Sequence, residues 1–241
     1  HSHLIASTIP NCLSYDPAFG YELAIIIHDG LKRMYQKQEN IFYYLTVMNE
    51  NYVHPPAPSG QETNILKGIY LFSENENAQV QLLGSGAILR EIIAAGKVLE
   101  EVYNITSNIW SVTSFNELRK DGLDCARWNT LNPSGPLKKS FVTQALEEFE
   151  GPYIAATDYI KAYADQIREF VPGTYRVLGT DGFGRSDSRQ KLRTHFEVNE
   201  PFIVLTTMKA LADDGLVSSE LVLDVIDRYE INSNKINPIN A

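Results

Sequence analysis

The densest grouping of chemically able side chains runs Gly179-Thr180-Asp181-Gly182-Phe183-Gly184-Arg185-Ser186-Asp187-Ser188-Arg189, followed closely by Lys191 and Arg193. Its glycines free the backbone, and guanidinium groups alternating with carboxylates suit fixed, charge-assisted hydrogen bonds. Arg185, Arg189, Lys191 and Arg193 make a local positive patch on a chain whose net charge is −9. Two roles follow for Asp181, Arg185, Asp187, Arg189 and Arg193: an interface loop that serves assembly, or a loop that holds a small anion. Ser186 and Ser188 have only His195 as a nearby base, across a predicted helix, so no nucleophile and base are expected to meet. Asp187 with Gln190 predicts a reciprocal cap at the start of that helix.

A second glycine turn, Val80-Gln-Leu-Leu-Gly84-Ser85-Gly86, leads from an apolar run into a helical pattern. Such a turn lets backbone amides approach a phosphate at a helix N-terminus. Leu89 stands where a dinucleotide fingerprint has its third glycine, so close helix-to-sheet packing is the stronger reading. The five histidines show no metal-ligand spacing beyond the His1/His3 pair, and His28 sits beside Asp29 in a helical stretch. Cys12 and Cys125 lie too far apart in sequence for a metal motif, and two cysteines make no disulfide framework for 241 residues; two buried thiols in a reducing compartment are expected. No Walker loop, nucleophile elbow or His-Glu-x-x-His helix is present.

The elements that must carry these groups alternate. Ile41 to Val47, Val80 to Leu83, Ile109 to Val112, Tyr153 to Ala156 and Tyr175 to Leu178 read as strands buried on both faces. Helical spacing marks Leu23 to Met34, Ile88 to Val102, Phe141 to Phe149, Tyr159 to Phe170, Phe202 to Leu211 and Leu221 to Tyr229. The alternation predicts an α/β fold with a doubly wound, mostly parallel sheet. His54 to Gln61 carries three prolines and a glycine and reads as a linker. Residues 1–54 are too few to close a sheet of their own, so they are expected to finish a second α/β domain. The linker is set at 55–64 and the carboxyl-terminal α/β domain at 65–241. A negative surface disfavours nucleic acid. No apolar run approaches the roughly 20 residues of a membrane span.

Several stretches together resemble one family: Thr8-Ile-Pro-Asn-Cys-Leu-Ser-Tyr-Asp-Pro-Ala, Met48-Asn-Glu-Asn-Tyr, Val80 to Arg90, Val112-Thr-Ser-Phe-Asn-Glu-Leu, Ala156-Thr-Asp-Tyr, Tyr175 to Arg189, and the closing Asn237-Pro-Ile-Asn-Ala. They look like the carboxyl-terminal part of the homodimeric decarboxylating components of pyruvate dehydrogenase, within the transketolase superfamily. The resemblance covers nearly the whole chain, and the Gly179 to Arg189 motif sets this branch apart from ordinary transketolases.

The resemblance implies a parent that decarboxylates pyruvate on thiamine diphosphate with Mg²⁺ and reductively acetylates the lipoyl group of a transacetylase. It implies a bacterial cytoplasmic homodimer working inside a multienzyme complex. The family's metal-binding Gly-Asp-Gly motif and activating glutamate have no counterpart here, so this chain is expected to bind neither cofactor nor metal and to be inactive alone. His1 and His3 are expected to lie beside an active-site segment that precedes them. Asn49 falls near the phosphate-binding arginine of sugar-phosphate transketolases, as suits a substrate without phosphate. Two other readings remain: a docking module for the transacetylase, and a nucleotide-binding oxidoreductase built on Gly84 and Gly86.

Overall fold

The computed structural model describes residues 1–241. Its larger unit is a sheet of five strands: β3 (Ile69–Ser73), β4 (Val80–Gly84), β5 (Ser107–Val112), β6 (Tyr153–Ala156) and β7 (Tyr175–Leu178), in the order β3-β5-β4-β6-β7. All neighbours are parallel except β3, which runs antiparallel to β5 at the edge. Successive side chains of a strand point to opposite faces, so a strand covered on both sides reads as an unbroken apolar run. Leu82 and Ile154 accordingly face one core of 22 buried residues, while Leu83 and Ala155 face another of 15.

Helices α4 (Leu89–Tyr103), α9 (Glu200–Asp213) and α10 (Ser219–Arg228) contribute to the first core. Helices α5 (Phe115–Leu131), α6 (Phe141–Leu146) and α7 (Lys161–Asp165) cover the opposite face. The fold is the expected doubly wound sheet. Two elements of it were not anticipated. β3 is an antiparallel edge strand that follows Gly68, and α5 is a polar helix whose start is fixed by Ser114 accepting a hydrogen bond from the Glu117 amide. Tyr159 to Phe170, expected as one helix, is α7 followed by a separate 3₁₀ turn, Arg168–Phe170.

The smaller unit holds α1 (Ser2–Ala6), β1 (Cys12–Tyr15), α2 (Gly20–Leu31), which continues into a π-helical turn at Lys32–Gln36, and β2 (Phe42–Leu45). β1 and β2 pair in parallel as a two-stranded sheet. The expected Ile41 to Val47 strand is therefore shorter. It is also not buried on both faces: Phe42 is exposed and Tyr43 to Leu45 are half-buried, because only one side packs on the chain. Five buried residues, Leu13, Tyr15, Ile26, Ile65 and Tyr70, form a small core that straddles both units. Its member Ile65 lies in α3 (Glu62–Lys67), so the last part of the presumed linker is helical. Of the two thiols, Cys12 is buried as expected, but Cys125 is only half-buried because it sits near the outer side of α5. No helix is long and apolar enough to cross a membrane.

Candidate functional site

Parallel strands send their carboxyl ends, and the loops that follow, to one edge of a sheet, where α/β folds collect ligands. Here both sheets do so at a shared cleft. Asp16 follows β1, Thr46 to Asn49 follow β2, Ala87 follows β4, Asp158 and Tyr159 follow β6, and Thr180, Gly182, Gly184 and Arg185 follow β7; all line one cavity of about 430 Å³. Helix α8 (Arg189–Phe196) adds Arg189 and Arg193 from the side, and His1 stands at the rim. The structure thus brings together Arg185, Arg189, Arg193, Asn49 and His1 from the residues singled out in the sequence. Asp181, Asp187 and His3 lie outside the cavity lining.

Each of those residues has a definite place. Asp181 accepts a hydrogen bond from the Lys161 amide at 3.0 Å and so anchors the loop to the start of α7. Asp187 is exposed and does not cap α8 with Gln190: Ser188 is the capping residue, accepting from the Lys191 amide. Its longer neighbour instead accepts from the Ser188 amide at 2.7 Å and approaches Lys191 at 3.7 Å. Arg189 donates to Asn49 Oδ1. Arg193 is held by Glu91 at 2.9 Å and Glu50 at 3.7 Å. Arg185 is exposed and has no acidic or hydrogen-bonding partner. His1 Nδ1 accepts from the Ile160 amide, while His3 is fully buried and stacks on Tyr163 with centroids 4.7 Å apart. Gly182, at φ 101°, lets the loop press against the backbone of Pro238, where a Cβ would collide.

The sequence did not announce the carboxylates that organise the cleft. Glu50 is shared by three guanidinia: Arg90 at 3.0 Å, Arg193 at 3.7 Å and Arg189 at 4.0 Å. Burial acts to raise its carboxyl, but Arg90, Arg193 and Arg189 hold it below the usual range. Asp16 is almost wholly buried; its Oδ1 accepts from the Thr46 hydroxyl at 2.6 Å and its Oδ2 has no partner. Burial pushes its carboxyl up to about 7. The Thr46 oxygen is also 3.0 Å from His3 Nε2. Because the Thr46 proton goes to Asp16, His3 donates from Nε2 and leaves Nδ1 as a buried, unpartnered acceptor. Burial, aided by the nearby amino terminus, lowers His3 to about 4, so the ring is neutral.

Gly84 and Gly86 do not make a nucleotide site. Asp16 fills the position a phosphate would take: its backbone oxygen accepts the Gly86 amide at 3.0 Å, and a Cβ at Gly86 would collide with the Asp16 carboxylate. Gly84 serves packing, since a Cβ would stand 2.7 Å from the Leu89 Cα. The residues also do not fit Mg²⁺ or the diphosphate of a thiamine cofactor. No group of three or more His, Cys, Asp or Glu side chains stands close enough to hold a metal ion. Glu22, the other buried carboxylate, already accepts from Tyr70, Ser111 and the Ala18 and Phe19 amides.

The family model for the transketolase-like TK C-terminal domain matches residues 68–199, which is more than half the chain. The chain belongs to that family. Residues 1–55 match the pyruvate dehydrogenase E1 component middle domain. The pyruvate dehydrogenase E1 component of Pseudomonas aeruginosa is 53% identical over 245 residues, covering 100% of this chain and 28% of that protein. The Escherichia coli K12 protein of the same name is 49% identical over 242 residues, covering 99% of this chain and 27% of that protein. This transketolase-family chain therefore spans about a quarter of the length of these curated relatives. Among solved structures, transketolase from Leishmania mexicana superposes with a TM-score of 0.63 at 15% identity, covering 87% of this chain and 27% of that one. Transketolase from Campylobacter jejuni gives 0.60 at 17% identity, covering 86% and 27%. These likenesses establish the fold.

Proposed function

We propose that the chain is the end of the middle domain (residues 1–54), a linker (55–64) and the carboxyl-terminal domain (65–241) of a pyruvate dehydrogenase E1 component. The supporting observation is identity of 49–53% across the whole chain to proteins of that name, with middle-domain and carboxyl-terminal-domain matches in that order. The parent enzyme decarboxylates pyruvate and reductively acetylates the lipoyl group of its transacetylase partner, with thiamine diphosphate and Mg²⁺ supplying the carbanion chemistry. Those groups are held by parts of the parent outside this chain, and the parent works as a cytoplasmic homodimer.

The contribution of this chain is architectural. Arg189 and Arg193 of the carboxyl-terminal domain grip Asn49 and Glu50 at the end of the middle domain, fixing the loop after β2 at the cleft. Arg185 and Asp187 are exposed on the surface, where they serve assembly. Two preparations test this: the 241-residue chain alone, and the full-length polypeptide that carries it. With thiamine diphosphate and Mg²⁺, the full-length protein should release CO₂ from pyruvate and the chain alone should not. Turnover by the chain alone, or none by a folded full-length protein, would overturn the proposal.

A further inference from the structure

Helix α5 carries the chain away from the strand ends that line the cleft, and its last turns meet the loop 132–139 on a separate face. Leu123, Arg127 and Leu131 stand at i, i+4 and i+8, with Trp128 beside them. All four are exposed, and Leu137 of the loop adds an apolar side chain that is 81% exposed. That loop is not slack. Asn129 clamps it, accepting from the Lys138 amide at 2.8 Å and donating to the Lys138 carbonyl at 2.9 Å. The Gly135 amide donates to the Asn132 carbonyl, and the Lys138 ammonium lies 3.7 Å from the centre of the Trp128 ring. Single apolar side chains scattered over a surface carry no message, but a cluster held on a rigid frame marks a contact surface.

The charge around the cluster selects the partner. Residues 119–139 hold five Lys and Arg against two Asp, on a chain whose net charge is −9. Lys120 pairs with Glu117 and Lys139 with Glu147, whereas Arg127 and Lys138 have no carboxylate within ion-pair reach. A free guanidinium is a fork matched to a carboxylate, and charges at the rim of a contact choose which partner approaches. We propose that this face docks an acidic protein segment that carries a bulky apolar side chain. The apolar side chain seats among Trp128, Leu131 and Leu137, and flanking carboxylates pair with Arg127 and Lys138. An anionic bilayer is the poorer match: polybasic membrane sites cluster about four to eight cations. The net charge of −9 also opposes such a surface. This face shares no residue with the cleft and is independent of the reaction proposed above.

The test is fluorescence anisotropy of a labelled peptide, Asp-Glu-Asp-Leu-Asp-Glu-Phe-Glu-Asp, titrated with the full-length polypeptide that carries this chain. Binding should saturate and weaken with added salt. Replacing the Leu and Phe of the peptide by Ser, or its acids by Lys, should each weaken binding at least about tenfold. Leu137→Ser and Arg127→Gln change exposed side chains and leave the fold in place; each should weaken binding about fivefold. No saturable binding, binding unaltered by both substitutions, or equal binding of the Ser peptide would overturn the proposal. Adsorption to phosphatidylglycerol vesicles without peptide binding would assign the face to a membrane instead. Binding by the 241-residue chain but not by the full-length polypeptide would also overturn it, because the rest of the parent would then cover this face. No turnover is read, so the outcome is separate from the fate of the proposed reaction.

Discussion

Residues 1–55 and the five-stranded unit beyond them are both α/β, but different forces hold them. The larger unit packs two apolar cores, of 22 and 15 buried residues, on opposite faces of its sheet. The smaller unit has a core of five, two of which, Ile65 and Tyr70, belong to its neighbour. Polar groups complete the attachment. Glu22 takes hydrogen bonds from Tyr70 and Ser111, both at 2.6 Å, Ser114 donates to the Ser14 carbonyl at 2.6 Å, and Asn116 donates to the His3 carbonyl at 2.8 Å. Apolar burial is forgiving of small displacements, whereas a buried carboxylate is stable only with its donors in place. One unit therefore folds by collapse and the other by registration against it.

The sharpest way to break this comparison is to separate the units. Residues 65–241 alone should keep a cooperative thermal transition by circular dichroism, and residues 1–55 alone should show none, since a two-stranded sheet is not stable by itself. A cooperative transition in the short piece would show that it has a sufficient core. Next in size, Glu22→Ala should destabilise the whole chain by about 5 kcal/mol in urea, because it strands two hydroxyls and two amides. An effect near zero would mean that water replaces the carboxylate.

Asp16 sharpens the contrast through pH. Its folded value of about 7 lies above its ordinary 3.8, so the folded chain binds the extra proton. Its contribution is fully present below about pH 4 and is lost as pH rises to about 7. Asp16→Asn should match the parent chain near pH 4 and exceed it at pH 8 by about 4 kcal/mol. Identical pH profiles would show that Asp16 titrates normally. The smallest effect belongs to Glu50→Gln, about 1 kcal/mol at low salt and less at high salt, because its arginine network is partly exposed.

The larger unit was the more legible in sequence for the same reason that it is the more robust. β4 and β6 are covered on both faces, and an unbroken apolar run such as Tyr153-Ile-Ala-Ala shows this directly, whereas β7, expected to be buried on both faces, is an edge strand that leaves Arg176 exposed. α5 escaped because its outward residues are polar and charged; its marker was the cap at Ser114 with Glu117 three residues on. The glycine-rich loop after β7 was recognisable as a place for charged contacts. Its partners, and separately the roles of Asp16, Glu22 and Glu50, were not, because they arise only when distant parts of the chain meet. A single acidic residue beside a proline or a helix start has no periodicity to reveal that it will be buried.

The parallel pair β1–β2 has one more consequence. No third strand pairs with either member; the outward carbonyls of buried β1 are taken by Lys120 and Ser114, so it is β2 that offers a row of backbone donors and acceptors on its outer side. Such margins are templates for other chains, and they bear on the colloidal behaviour of the preparation. The net charge of −9 keeps molecules apart at low ionic strength. Salt shortens the reach of that repulsion, to about 8 Å at physiological strength. Light scattering should therefore rise with added salt at fixed protein concentration, with the outer margin of β2 as the point of first adhesion.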